Sequence, residues 1–270
     1  TGYGSGHTTA ISASQTYGAD YLLSDSIQVT GDQSITVTNG NLTIDDTTLV
    51  ETAINGDGEA GEDKLTLNAD NGDIIINAQI GGDPFDKADS STTYAQTDYL
   101  EDLSASAQNI TFNESVTLDG DFIINSTGVV TFEKDVVISN GDLNILGATN
   151  VVFKGSVTVT GGDITIEANE IDINDTFSGD GALTFKTVSE SLGIEVAGTS
   201  NVTGNLDLTA TELTHIADGF SKIVFGKESS GHAQVTTNDI NISAFDFTDS
   251  VEFYANNITA DEELRSSENI

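Results

Sequence analysis

The densest run of side chains able to do chemistry is Asn55-Gly56-Asp57-Gly58-Glu59-Ala60-Gly61-Glu62-Asp63-Lys64-Leu65. A hard cation such as Ca²⁺ takes about six to eight oxygen ligands, and glycine-rich turns let carboxylates and carbonyls converge. Residues Gly58 to Leu65 fit the calcium repeat Gly-Gly-x-Gly-x-Asp-x-apolar at every fixed place but the second, where Glu59 stands. That repeat works in tandem runs, and this chain has one degenerate copy. Asp57, Glu59, Glu62 and Asp63 are therefore the candidate metal ligands and Ca²⁺ the candidate cofactor; a solvated acidic loop is the competing reading. A second candidate is the series Asp121, Asp142 and Asp163. Stacked roughly 5 Å apart, these carboxylates would repel by about 1 kcal/mol in water. Bound cations or splaying into solvent would relieve the strain. Catalysis has less behind it. His7, His215 and His232 share no motif, Arg265 is the sole arginine, and carboxylate pairs are trivially available among 44 acids. Lys134 and Lys154 are expected to share a face, without an arginine beside them. No catalytic residue is assigned, and the chain is expected not to be an enzyme.

The elements that must position these groups follow from an internal repeat. Asn109 to Phe122 (NITFNESVTLDGDF), Val130 to Leu143 (VTFEKDVVISNGDL) and Val151 to Ile164 (VVFKGSVTVTGGDI) align without gaps in their second halves. Each has a Phe (112, 132, 153), a Val four residues on, and a Gly-Asp pair at Gly120, Gly141 or Gly162, then an apolar-x-apolar stretch. The period is roughly 20–21 residues, and alternation within it means strands with one buried face. The same Gly-Asp/Asn-apolar-x-apolar unit recurs at Gly40, Gly72 and Gly204, and the Phe-x-x-x-Val unit at Phe247 to Val251. The long intervals between units place loop excursions near 55–63 and 81–103. The expected fold is all-β: one right-handed parallel β-helix over residues 1–270, with regular coils at about 104–208 and less regular ones at 209–270. Roughly 11 to 13 coils would fit, stacked about 4.8 Å apart. Phe112, Phe132 and Phe153 should form an internal ladder, with the corner glycines supplying positive φ. A β-sandwich array would need hairpin signals and a longer module. Helix is nearly absent; the one candidate is Ala210 to Ala217, which reads equally as a short turn between coils.

Composition narrows the partners. The chain has 270 residues, a formal net charge of −36, one Pro, and no Cys, Met or Trp. Thiol chemistry, disulfides and Cys-based zinc sites are excluded. Nucleic acid is not expected, because phosphate recognition needs clustered Lys and Arg. No run of 18 apolar residues is present, so no membrane insertion is expected. Disorder is excluded by the patterned β-branched and aromatic residues. The chain starts Thr1-Gly2-Tyr3 and is read as a processed or excised piece of a longer product.

Residues 55–185 resemble the β-solenoid stretches of giant bacterial surface proteins, the filamentous-haemagglutinin-like adhesins. The resemblance is carried by Asp63-Lys64-Leu65-Thr66-Leu67, by the three Phe-x-x-x-Val…Gly-Asp copies and by Gly161-Gly162-Asp163-Ile164-Thr165-Ile166. Leu208 to Leu213 followed by Asp218 to Ile223 is similar to a connector in those proteins. It implies secretion to the extracellular space or cell surface, a right-handed β-helix, a stalk or filament role, and no catalytic residues. The family's amino-terminal secretion motif is not visible. The expected function is a structural adhesin stalk or self-assembling filament subunit. Its partners would be copies of itself end to end or flanking regions of a longer chain, with surface glycans as further candidates. The alternative is a polysaccharide-binding or polysaccharide-cleaving β-helix, tailspike-like, which a groove with exposed aromatics such as Tyr94 and Tyr99 beside carboxylates would favour.

Overall fold

The structure, a computed structural model, describes residues 8–24, 26–45, 53–57, 63–81, 99–189, 191–199, 204–226, 239–260 and 265–266. Its strands are short and alternate buried with half-exposed residues, as in Ile164–Ala168 and Leu65 to Ala69. Among the described residues every strand pairing is parallel, which a sandwich would not show. Three walls result. The first holds eight strands, from Thr8–Ile11 to Phe177–Gly179. The second holds ten, from Gln15–Tyr17 to Val251–Tyr254, and the third seven, from Tyr21–Leu23 to Ile171–Ile173. The chain visits them in turn: Val136–Ser139, Leu143–Ala148 and Asn150–Phe153 make one coil, and Val157–Thr160, Ile164–Ala168 and Ile171–Ile173 the next. This is a parallel β-helix. Ten layers in its longest described wall span roughly 43 Å. The expectation of 11 to 13 coils concerns the whole chain, and these ten layers are those of the described residues.

The core is a column of Ile, Val, Leu and Phe along the axis. Phe112, Phe132 and Phe153 are fully buried and stack with centroids 5.1 and 5.0 Å apart, nearly parallel. The expected ladder is present, and it extends edge-on to Phe177 at 4.8 Å. A second ladder, Phe185–Phe225–Phe253, continues within the second wall.

Gly120, Gly141 and Gly162 have a different reason from the expected one, whereas Gly40 (φ 138°) and Gly204 (φ 95°) do take positive φ. Positive φ falls on the residue before the pair, at Asn140 (φ 60°) and Gly161 (φ 78°). Gly141 and Gly162 are needed for space. A Cβ on Gly162 would lie 2.1 Å from the carbonyl oxygen of Gly141, and one on Gly141 would lie 2.3 Å from that of Gly120. The coils stack backbone on backbone at this corner.

Three equivalences drawn from the repeat are corrected. Gly120, Gly141 and Gly162 turn the chain from the first wall to the second, whereas Gly40 and Gly72 turn it from the second to the third. The local chemistry is the same, but the corner differs. Gly204-Asn205 likewise opens Asn205–Thr209, a strand of a separate four-stranded sheet. The Phe247 to Val251 unit is out of phase too: Val116, Val136 and Val157 lie in the first wall, and Val251 lies in the second. The regular coils end near Lys186 rather than at residue 208. There Gly193–Gly198 joins Asn205–Thr209, Asp239–Ile242 and Asn257–Ala260 in the additional sheet. The helix α1 spans Ala210–Leu213, shorter than the candidate stretch, and is closed by a capping box between Thr209 and Glu212.

Both expected excursions leave at the same corner. The first wall ends at Asn55 and the second resumes at Lys64; one coil later it ends at Ile80 and resumes at Asp102. Lys64 and Asp102, 38 residues apart in sequence, are nevertheless paired neighbours.

Candidate functional site

Of the four expected metal ligands, Glu59 and Glu62 lie outside the described residues. Asp63 is buried, 2% exposed. Its Oδ1 accepts the backbone N–H of Gly31 at 2.9 Å and its Oδ2 that of Asp57 at 2.8 Å. A Cβ on Gly56 would lie 2.3 Å from Oδ2. Asp63 therefore clips its corner to the coil below, with both oxygens engaged by the protein. Burial raises its pKa, and the two backbone hydrogen bonds oppose that rise. Among the described residues, no group of three or more His, Asp or Glu side chains is arranged to hold a metal ion.

The Asp121, Asp142 and Asp163 column is real and forms a hydrogen-bond ladder. Asp102 Oδ1 accepts the N–H of Asp121 at 2.8 Å, Asp121 that of Asp142 at 2.9 Å, Asp142 that of Asp163 at 2.7 Å, and Asp163 that of Ala182 at 2.7 Å. Each carboxylate caps a backbone donor one coil up, where the corner interrupts the sheet ladder. A second ladder runs along the next corner. Asp20 accepts from Asn41 at 2.8 Å, Asn41 from Asp73 at 2.9 Å, Asp73 from Asn109 at 3.2 Å, and Asn109 from Val129 at 2.8 Å. Asp and Asn interchange there because only the acceptor oxygen is required, so the sequence shows both in one column.

Four lysines are also engaged between coils. Lys64 pairs with Asp102 at 2.6 Å, Lys154 with Glu133 at 2.6 Å, Lys186 with Glu167 at 3.2 Å and Lys222 with Glu252 at 2.9 Å. Lys134 and Lys154 do not stack: the register places Glu133 below Lys154, and Lys134 lies beneath Gly155. His215 lies just after α1, with Nδ1 2.9 Å from the carbonyl oxygen of Ile173; His7 and His232 lie outside the described residues. Tyr94 lies outside them also, and Tyr99 is half-buried where the chain re-enters the second wall.

One cluster was not anticipated. Where Asn205–Thr209 and α1 approach the last strand of the third wall, Glu170, Asp172, Asp207 and Glu212 come together. Asp207 is 1% exposed. Burial, with the charges of Asp207, Asp172 and Glu212 and a hydrogen bond to Asp207, pushes the Glu170 carboxyl up to about 8. Glu212 is held by Thr209, whose N–H and hydroxyl donate to its Oε2 at 2.8 Å each, and by the N–H of Ile173 at 3.2 Å. Glu170 and Asp207 share a hydrogen bond directly, which leaves no room for a sugar between them, as glycoside hydrolysis needs. No sequence signal could reveal this cluster, since its members come from three elements brought together only at the break in the third wall.

These features define a parallel β-solenoid whose polar side chains tie coil to coil. No family model, curated protein or solved structure matches the chain.

Proposed function

We propose that this chain is a structural, non-enzymatic β-solenoid of the extracellular space or cell surface, serving as an adhesin stalk or a self-assembling filament subunit. The observation that carries the reading is the ten-stranded second wall. Among the described residues, no strand covers the outer edge of Gln15–Tyr17 or of Val251–Tyr254. Uncovered edges are templates for pairing with another chain, so the solenoid can be continued by a second copy or by flanking coils. The corner ladders support the same reading, because they commit most corner carboxylates to length and rigidity rather than to a site. Calcium at Asp57, Glu59, Glu62 and Asp63 belongs to this proposal as an assembly factor.

Electron microscopy of the purified chain, with and without millimolar Ca²⁺, tests it. Uniform fibres about one solenoid wide are the expected result, and calcium dependence would assign the acidic corner a role in assembly. Isolated short rods under both conditions would remove the filament reading and leave the stalk.

A further inference from the structure

The second wall becomes concave along the edge where it turns toward the third. A groove of about 440 Å³ crosses five successive strands, from Asn68 through Ser106, Asn125 and Leu146 to Glu167. At about 4.8 Å per coil it runs roughly 19 Å along the axis. Its floor is fixed by the buried Ser126, whose hydroxyl donates to the Gln108 carbonyl oxygen at 2.8 Å and accepts from the N–H of Gly128 at 3.2 Å. On its rim Gly147 takes φ 80°, within a register shift between Ile145 and Ala148 that bends the strand.

The lining differs from the corners in what its polar groups are doing. Elsewhere the amides serve the protein: Asn109 donates to Asp73 at 2.8 Å, Asn140 to Asp119 at 2.7 Å and Asn150 to Asp172 at 3.1 Å. In the groove the side chains of Asn68, Ser106, Gln108, Asn125 and Thr127 make no hydrogen bond within the protein among the described residues. Asn68, Ser106 and Asn125 occupy one register column, so donors and acceptors repeat once per coil over three coils, above which Leu146 takes the place. From Ser34 and Thr36 up to Asn144 and Leu146, two of the outward columns of this wall carry no charge; the charged third, Asp32, Lys64 and Asp102, lies at the far end of the strands, by the first wall. Asp70 and Glu167 stand only at the ends of the groove, the latter paired with Lys186.

We propose that this groove binds a neutral, hydroxyl-rich polysaccharide strand lying along the solenoid axis. A periodic row of amides and hydroxyls matches a polymer with repeating hydroxyl groups. A net charge of −36 opposes uronate or phosphate polymers. A peptide cannot add as a strand here, because the lining strands are paired on both edges. No aromatic lines the groove, so each contact is a hydrogen bond, and affinity builds along several coils and several copies.

The test is affinity electrophoresis of the whole chain in gels containing dextran, mannan, galactan or xylan, with polygalacturonate as the anionic control. Retardation by at least one neutral polymer, little changed by salt, is expected. The double variant Gln108→Ala/Asn125→Ala should weaken it roughly tenfold, while Thr158→Ala on the first wall leaves it unchanged. Should circular dichroism show the double variant unfolded, Ser106→Tyr, which fills the groove from an exposed position, replaces it. The proposal is overturned if no neutral polymer retards the chain, if only polygalacturonate does, or if folded groove variants migrate like the wild type. Fibre formation is a separate readout, so this proposal and the filament reading can fail independently.

Discussion

Asp142 accepts the amide of Asp163 and lies above the carboxylate of Asp121, which accepts its own amide in turn. Only an acceptor is needed at that place, so Asp142→Asn should leave the melting temperature unchanged or raise it, since one repelling charge goes. Asp142→Ala should cost about 1 kcal/mol in urea denaturation, the typical net value of one hydrogen bond. Glu170 makes a prediction of the opposite kind. Its folded pKa of about 8 lies above the ordinary glutamate value of 4.5, so the folded state holds a proton that the unfolded chain releases. Its favourable contribution is full below pH 4.5 and is lost as pH rises through about 8. Glu170→Gln, which cannot ionise, should therefore melt higher than the wild type at pH 9, and the gap should close toward pH 5. Because the carboxyl is partly reached by solvent, the difference should be on the order of 1 kcal/mol. An equal gap at both pH values would mean that Glu170 is not protonated in the folded state.

At the scale of the element, the aromatic ladder runs through the Ile, Val and Leu core of the regular coils. Phe132 is stacked between Phe112 and Phe153 and meets Phe122 edge-on at 6.0 Å. Phe132→Ala should cost about 3–5 kcal/mol through lost burial and the cavity left behind. Phe132→Leu should cost much less, because a branched aliphatic side chain fills most of that space. Denaturant midpoints of the two variants check this. A solenoid coil contacts only its neighbours, so hydrogen exchange in the alanine variant should quicken most in the coils beside Phe112 and Phe153.

At the scale of the whole molecule, the charge is the dominant feature. The acids concentrate at corners while the wall faces carry Thr, Ser, Asn and Val, so carboxylates stack in columns along the axis. Self-repulsion of this kind is screened by salt. Raising NaCl from about 10 mM to about 150 mM, where the Debye length falls below roughly 10 Å, should raise the melting temperature by several degrees. Calcium at equal ionic strength separates screening from a site. If Asp63 is a clip alone, Asp63→Asn lowers the melting temperature by the same amount in either salt. If it is also a ligand, the loss is greater in calcium.

The repeat itself determined the fold: alternating β-branched residues at a period near 21, with Gly-Asp corners, are compatible with one buried face per strand and parallel stacking. Phe112, Phe132 and Phe153 were legible as a ladder because they recur in step with that period. Local pattern could not say which corner a Gly-Asp or Gly-Asn pair occupies, because both corners need the same acceptor and the same absence of a Cβ. Nor could it say that Asp63 is buried with both oxygens engaged, since a carboxylate in an acidic, glycine-rich run reads equally as ligand or clip until its donors are placed. The Glu170–Asp207 pair and the groove at Asn68, Ser106 and Asn125 depend on contacts between residues about 20 to 40 positions apart, whose lengths of intervening chain vary from coil to coil. Those contacts exist only once the walls have stacked, because it is the inter-strand hydrogen bonding, and not the spacing along the chain, that decides which side chains become neighbours.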